Sequence, residues 1–285
     1  MSPTWQSEGL PVPLPMTPVG RGRAVLRGSA VLVTILAGMV VLVPLRLVER
    51  PFHGIARPWT GRIPSIVSRI ACRALGLGYM AHGRPMQTPG ALVANHSSWL
   101  DIFVLNAGGP LTFVSKAEVA GWPGIGWIAR AAGTVFVRRD AREAKAQTAL
   151  FEERFAAGDR LLFFPEGTST DGQRVLPFKP TLFAALFADR HRERLFVQPV
   201  TVAYYPPGGA EPRFYGWWGD MDLVPHLMQV LAQSPQGRVE VTWHDPIRVA
   251  GMPDRKALAR LAEAAVRSGH PLGEAETPRG PAPAR

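Results

Sequence analysis

The sequence predicts an α/β fold, with one domain built on a mixed, largely parallel sheet covered by helices and preceded by an N-terminal membrane-associated helical segment. Short apolar runs alternate with helical patterns between residues 80 and 268, which is typical of a sheet with crossover helices. A run of 18 residues without a charge, 28–45, precedes this alternation. The chain has 285 residues, enough for one large domain with a small appendage.

The first 79 residues divide into two parts. Residues 1–23 are rich in proline and lack periodicity, so we expect a disordered leader. Residues 24–79 form the helical segment, and their uncharged run reaches the lower end of the roughly 17–25 residues that a spanning helix needs. We favour a spanning or re-entrant helix, with a soluble core helix as the alternative. A signal peptide is disfavoured because Arg46 and Arg50 follow directly.

A second helix is predicted at the end of this segment, over residues 63–79. Apolar residues recur there at helical spacing, while Arg62, Arg69 and Arg73 fall on a more polar side. This pattern suits a helix in the plane of an anionic membrane surface. A helix packed on the core with its arginines reaching to solvent fits equally well.

The domain from 80 to 268 alternates strands and helices. Strands are predicted at 91–94, 111–114, 134–137, 160–164, 196–203 and 238–243, and helices at 99–106, 123–131, 141–157, 180–190, 222–233 and 254–268. The tail, 269–285, is rich in Pro, Gly and Ala, and we expect it to be disordered.

Charge and cysteine content restrict the partners. The formal charge is +10, and only four of the 32 basic residues are lysine. Arginine binds phosphates and carboxylates with two parallel hydrogen bonds, so we expect an anionic partner such as an anionic membrane surface. No nucleic-acid-binding motif is present, and we expect no nucleic acid as a partner. The lone Cys72 excludes an intrachain disulfide, and no metal site is predicted.

The segment Asn95-His96-Ser97-Ser98-Trp99-Leu100-Asp101 is the strongest candidate for chemistry. It follows the apolar run 91–94, so His96 stands at a strand end with Asp101 five residues later. A histidine can take a proton from an alcohol when a carboxylate orients its ring and stabilises the imidazolium. A purely structural histidine–aspartate pair is the alternative.

Three further segments follow at strand ends or starts: Gly133-Thr134-Val135-Phe136-Val137-Arg138-Arg139, Phe164-Pro165-Glu166-Gly167-Thr168-Ser169 and Val197-Gln198-Pro199-Val200. Together and in this order, the four segments resemble the 1-acylglycerol-3-phosphate acyltransferase family over residues 80–205. The resemblance implies acyl transfer from acyl-CoA or acyl carrier protein to the hydroxyl of lysophosphatidic acid. It implies no metal and no bound cofactor, because the thioester is already an activated acyl donor.

The resemblance also implies a role for each matching residue. His96 would be the general base and Asp101 its orienting partner. Arg139, with Arg138 beside it, would bind the acceptor's phosphate. Glu166 would hydrogen-bond the glycerol portion or organise neighbouring cations. The remaining implied substrate-site residues are Gly167, which admits close backbone approach, Thr168, which supplies a hydroxyl, and Pro199, which shapes the donor site.

The chain departs from the family pattern at two places. Relatives often have arginine after the threonine, where this chain has Ser169-Thr170-Asp171, so one headgroup cation is either missing or supplied by Lys179 or Arg174. The family's Phe-Lys-x-Gly is here Phe178-Lys179-Pro180-Thr181. These changes leave a lyso-ornithine lipid open as the alternative acceptor.

Two other classes of protein are alternatives to the acyltransferase. A serine hydrolase is disfavoured because the chain has no Gly-x-Ser-x-Gly motif. A non-enzymatic protein that binds the membrane surface remains an alternative. For the enzyme we expect a cell-membrane location, with the catalytic domain facing the cytoplasm.

Overall fold

The architecture comes from a computed structural model, which describes Trp5, Gly9, Pro11 and residues 15–138, 144–188 and 192–272. The helices are α1 Pro18–His53, α2 Ile63–Leu75, α3 Asp101–Gly108, α4 Ile125–Ala132, α5 Ala144–Ala156, α6 Leu223–Ala232 and α7 Arg255–Ser268. The strands are β1 Gly78–His82, β2 Gly90–Ala94, β3 Thr112–Lys116, β4 Val135–Val137, β5 Arg160–Phe163, β6 Phe196–Tyr205, β7 Arg238–Trp243 and β8 Ile247–Arg248. Short 3₁₀ segments lie at Thr60–Arg62, Ala117–Gly121, Pro180–Phe187 and Val249–Gly251.

The eight strands form one mixed sheet, as predicted. Their order is β1-β7-β6-β2-β5-β3-β4, with β8 beside β6. Five neighbouring strands run parallel to one another: β6, β2, β5, β3 and β4. Strand β7 is antiparallel to β6, and the edge strand β1 pairs with β7 in parallel. The carboxyl ends of the five parallel strands therefore meet at one edge, where ligand sites of such sheets occur.

Two hydrophobic cores lie on the two faces of this sheet. Leu92 and Ala94 of β2 belong to the core that includes residues of α2, α3 and α6. Ala91 and Val93 belong to the other core, which includes residues of α5 and α7. Successive side chains of a strand point to opposite faces, so a strand between two helix layers must be apolar throughout. Its continuous apolar run is why β2 could be predicted.

The structure differs from the sequence interpretation at several elements. Helix α2 ends at Leu75 because Gly76 takes a left-handed conformation with φ 75°, and β1 follows where the prediction extended the helix. Strand β1 is mostly exposed at the sheet edge, so it shows no alternation of apolar residues. Residues 180–187 are a 3₁₀ segment rather than the predicted α-helix, and the two-residue β8 was not predicted.

Helix α1 is the one helix in the described part of the chain that is long and apolar enough to cross a membrane, judged by length and composition. Its 36 residues include an 18-residue window of mean hydropathy 2.5. The helix begins at Pro18, within the stretch expected to be a leader, and the Thr17 hydroxyl accepts the Gly20 N–H at 3.1 Å. At 1.5 Å per residue it is about 54 Å long.

Helix α1 is attached to the α/β domain near both of its ends. Arg23 donates to the Ala232 carbonyl (2.7 Å) and Arg27 to the Leu231 carbonyl (3.1 Å), so two arginines cap the C-terminal end of α6. Just beyond the other end of α1, Arg57 donates to the Ala131 carbonyl of α4 at 2.8 Å. Between these points α1 packs against α2. The helix therefore runs along the domain rather than away from it.

Candidate active site

The candidate site lies at the carboxyl edge of the parallel strands. His96 comes two residues after β2, Phe164 directly follows β5, and Tyr204 is the penultimate residue of β6. Because β5 and β6 flank β2 on its two sides, these three side chains come from adjacent positions along the edge. The Asn95 side chain fixes the register by bonding both the N–H and the carbonyl of Val202, at 2.8 Å each.

His96 and Asp101 form the pair that the sequence predicted. Nδ1 of His96 lies 2.7 Å from Oδ2 of Asp101, and the His96 side chain keeps 21% of its surface exposed whereas Asp101 keeps none. A carboxylate only accepts hydrogen bonds, so Nδ1 carries the proton in this pair. In the neutral imidazole the other ring nitrogen, Nε2, then has a free lone pair that can accept a proton from a substrate.

Asp101 is held by four donors. Oδ2 accepts the backbone N–H groups of Ser97 (2.9 Å) and Ser98 (3.1 Å) in addition to His96, and Oδ1 accepts the Tyr204 hydroxyl at 2.7 Å. Asp101 is also the first residue of α3, where the partial positive charge of a helix N-terminus favours a carboxylate. This environment keeps the carboxylate in one orientation towards the imidazole.

The His96 ring is positioned from a second direction by Phe164. The two rings stack with centroids 4.0 Å apart and an interplanar angle of 13°. Stacking covers one face of the imidazole, and the bond to Asp101 fixes its rotation within that plane. The His96 ring is therefore held in one orientation before any substrate arrives, as a general base would need to be.

Glu166 is buried beneath the loop that carries His96, on the side facing away from solvent. Its side chain is buried, with Oε1 accepting the His96 backbone N–H (2.8 Å) and Oε2 accepting the Leu176 N–H (2.9 Å). Burial raises the pKa of Glu166 to about 8, and the two amide hydrogen bonds offset only part of this effect. The resemblance implied contact with the acceptor or with neighbouring cations. In the structure this carboxyl group instead ties the His96 loop to residues 164–176.

Gly167 and Thr168 complete the turn after β5. Gly167 has φ 77°, a conformation that strongly favours glycine, and its N–H donates to the Phe164 carbonyl at 3.0 Å. Thr168 is half-buried next to it. Further along the same loop, the Thr170 N–H donates to the His96 carbonyl at 2.9 Å. The loop therefore borders the candidate base over several residues.

The other residues implied by the resemblance lie at different depths. Arg138 is exposed directly after β4, and Arg139 lies outside the described residues. Lys179 is exposed, and its backbone N–H donates to the Pro165 carbonyl at 3.0 Å. Pro199 is buried within β6 opposite Val93, and its carbonyl accepts the His244 N–H at 3.0 Å. Pro199 thus occupies the sheet interior, three residues below the level of His96.

Sequence reasoning missed two residues that belong to the site. Tyr204 contacts Asp101, and the Trp217 backbone N–H donates to the Ser97 carbonyl at 2.8 Å. The only signal for Tyr204 was its place near the end of a predicted strand. Trp217 belongs to the stretch Gly216-Trp217-Trp218-Gly219, which matches none of the four motifs, and this hydrogen bond places it beside the loop that carries His96.

A second charged cluster stands on the loop that borders His96. Asp171 is buried and lies 3.5 Å from Arg174, whose side chain is half-exposed. The Arg174 guanidinium lies over the Trp5 ring, 5.2 Å from its centroid, and Trp5 contacts Trp218 at 6.5 Å between centroids. The loop after Thr168 therefore carries a paired negative and positive group, and it lacks the arginine that relatives often have directly after the threonine.

The chain is similar in sequence to known proteins. The family model described as Acyltransferase matches residues 80–203. The lyso-ornithine lipid O-acyltransferase of Rhodobacter capsulatus is 56% identical over 94% of this chain and 97% of its own length. The 1-acyl-sn-glycerol-3-phosphate acyltransferase of Neisseria gonorrhoeae is 33% identical over 70% of this chain and 76% of its own length.

The fold is also found in a solved structure. The 1-acyl-sn-glycerophosphate acyltransferase of Thermotoga maritima superposes with a TM-score of 0.54 over 89% of this chain and 100% of that chain, at 20% identity. The match to the Rhodobacter capsulatus enzyme covers nearly the whole of both chains. The chain belongs to the acyltransferase family.

Proposed function

We propose that this acyltransferase moves a fatty acyl group from an acyl thioester to the hydroxyl of a lyso-ornithine lipid at the membrane surface, with His96 as the general base. The geometry of the His96–Asp101 pair supports the chemistry. The acceptor is supported by the 56% identity, over nearly the whole length of both chains, to an enzyme named for that substrate.

The reaction follows from the unprotonated Nε2 of His96. This nitrogen takes the proton of the acceptor hydroxyl while the oxygen attacks the thioester carbonyl carbon. The resulting tetrahedral intermediate collapses, the carbon–sulfur bond breaks, and the imidazolium returns its proton to the departing thiolate. Asp101 stabilises the imidazolium between the two proton transfers. The products are an ester and a free thiol, carried by coenzyme A or by acyl carrier protein.

The loop that borders His96 offers a cation to the acceptor. The ornithine headgroup carries one carboxylate and one ammonium once its α-amine is acylated. Arg174, whose side chain is half-exposed, can bind the carboxylate. The buried Asp171 carboxylate beside Arg174 offsets part of its positive charge, which suits a singly charged carboxylate better than a dianionic phosphate.

Lysophosphatidic acid is the second candidate acceptor. The relative from Neisseria gonorrhoeae is named for that substrate. The exposed Arg138 and Lys179 are cations that lie at or near the same edge of the sheet, as a phosphate site would need. This candidate keeps the same base and the same reaction, and changes only the headgroup contacts.

An acyl-transfer assay on membranes containing the protein separates the two acceptors. Labelled acyl-CoA and acyl carrier protein thioesters are offered with each lysolipid in turn. We expect product mainly from the lyso-ornithine lipid, and we expect Arg174→Gln to raise its KM about tenfold because one charge-assisted hydrogen bond is lost. Turnover of lysophosphatidic acid alone would contradict the proposed acceptor, and an Arg174→Gln variant with unchanged KM would contradict the proposed contact with its carboxylate.

We also propose that α1 lies in the plane of the membrane, with the catalytic domain on the cytoplasmic side. A helix that crossed the bilayer would separate its two ends, yet both ends of α1 are attached to the same domain. Large apolar side chains are exposed along its length: Leu26, Leu32, Val40, Leu47 and Phe52. Trp127 of α4 is also exposed, and indole rings favour the headgroup region of a bilayer.

Cysteine labelling tests this arrangement. Arg21 and Arg50 are exposed near the two ends of α1, and Cys72 is buried, so single cysteines can be placed at 21 and 50 in a Cys72→Ala background. We expect a membrane-impermeant maleimide to label both positions in inverted vesicles and neither in right-side-out vesicles. Labelling of the two positions from opposite sides would show a spanning helix instead.

A further inference from the structure

Tyr204 contacts the catalytic pair from the side opposite to the histidine. Its hydroxyl donates to Oδ1 of Asp101 at 2.7 Å, whereas the other described donors to this carboxylate use Oδ2. The Tyr204 ring packs against Tyr215 with centroids 5.5 Å apart. The hydroxyl is therefore held in place by the sheet and by a neighbouring aromatic ring.

The Tyr204 hydroxyl remains a donor over the whole working range of pH. Burial raises its pKa well above the usual value, and the negative charge of Asp101 raises it further. The tyrosine thus cannot exchange roles with the carboxylate or act as a second base near neutral pH. Its contribution must come from the hydrogen bond that it donates.

We propose that Tyr204 is a positioning residue that sets both the orientation and the effective charge of Asp101, and through Asp101 the proton affinity of the catalytic base. This inference rests on the proposed role of His96. A carboxylate with donors on both oxygens shares its negative charge between them. The hydrogen bond from Tyr204 therefore moderates the pull of Asp101 on the imidazole Nδ1–H.

Removal of the Tyr204 hydroxyl is expected to lower activity at neutral pH. Without the hydroxyl, Oδ1 is a buried acceptor with one hydrogen bond fewer, and more of the negative charge is available to stabilise the imidazolium. The base then stays protonated up to a higher pH, so less of it is competent at neutral pH. The carboxylate is also freer to rotate, which misorients the ring.

Tyr204→Phe tests the proposal, with Tyr205→Phe as the matched control. Tyr205 is the next residue on β6, but its ring lies against the Arg238 guanidinium, 4.1 Å from the ring centroid. For Tyr204→Phe we expect kcat to fall about tenfold at pH 7, as for the loss of one hydrogen bond to a charged group, with KM values little changed. We expect the acid limb of the kcat/KM profile to move up by roughly half a pH unit.

A substitution that strengthens the hydrogen-bond donor, rather than removing it, gives a second, independent measurement. Incorporation of 3-fluorotyrosine at position 204 keeps the hydroxyl and makes it a stronger donor, so the acid limb is expected to move to lower pH. This measurement remains decisive if Tyr204→Phe fails to fold. The proposal is overturned if both Tyr204 variants give the pH profile of Tyr205→Phe. Full turnover by His96→Ala would instead refute the proposed base, whatever the Tyr204 variants do.

Discussion

Replacement of His96 by alanine is expected to lower kcat by about 10²–10⁴-fold, the range typical of a lost general acid–base group. The acceptor hydroxyl would then have to lose its proton to water while it attacks the thioester. Binding should change little, because His96 contributes one ring nitrogen to the acceptor and the headgroup contacts lie elsewhere. We therefore expect KM for both substrates to stay within about threefold of the unmodified enzyme, a difference below 1 kcal/mol.

The structure supplies a matched control for this variant. His82 lies on β1, and more than half of its side-chain surface is exposed. His82→Ala should leave kcat unchanged. The cavity left by His96→Ala lies between Phe164 and Asp101, so added imidazole should restore part of the activity. Retention of more than about a tenth of the activity by His96→Ala would show that another group takes the proton.

The sequence was sufficient for the parts of the fold that depend on local pattern. The buried strands β2 and β5 are continuous apolar runs, and α7 has a strong amphipathic pattern preceded by Asp254, whose side chain caps the helix. His96 and Asp101 are five residues apart, so a strand end followed by a helix brings them together. Short-range spacing was enough to predict this contact.

Contacts between distant segments were beyond the reach of the sequence pattern. Tyr204 meets Asp101 across 103 positions, and the meeting depends on β6 being the neighbour of β2. The strand order is set by packing of whole helices against the sheet, and no local motif records it. The direction of the Glu166 side chain was equally hidden, since it depends on the left-handed turn at Gly167.

Replacement of Glu166 by alanine is expected to have the second large effect, on both stability and turnover. The variant leaves the His96 and Leu176 N–H groups buried without an acceptor, at about 1–3 kcal/mol each. The loop that carries His96 would lose part of its attachment to residues 164–176 and keep the Thr170–His96 hydrogen bond, so kcat should fall with the melting temperature. Glu166→Gln, which keeps one accepting oxygen in the same shape, should retain more of both.

The kinetic parameters distinguish this positioning role from contact with the acceptor. If Glu166 bound the acceptor directly, as the family resemblance implied, Glu166→Gln would raise the acceptor's KM and leave the melting temperature unchanged. The buried hydrogen bonds to His96 and Leu176 predict instead a lower melting temperature and a lower kcat, with similar KM values for both substrates. Thermal unfolding in detergent and steady-state kinetics on the same samples distinguish the positioning role of Glu166 from direct contact with the acceptor.

The dependence of the melting temperature on pH shows whether ionisation of Glu166 stabilises or destabilises the folded chain. The pKa of Glu166 is about 8 in the folded chain, above its ordinary value of 4.5, so the folded state binds this proton more tightly than the unfolded state does. The stabilisation is fully present below pH 4.5 and is lost as pH rises through 8. Glutamine does not titrate, so the melting-temperature deficit of Glu166→Gln relative to the unmodified protein should shrink as pH rises from 5 to 8. A deficit that grows over this range would mean that the two amide hydrogen bonds outweigh burial and keep Glu166 ionised beneath His96.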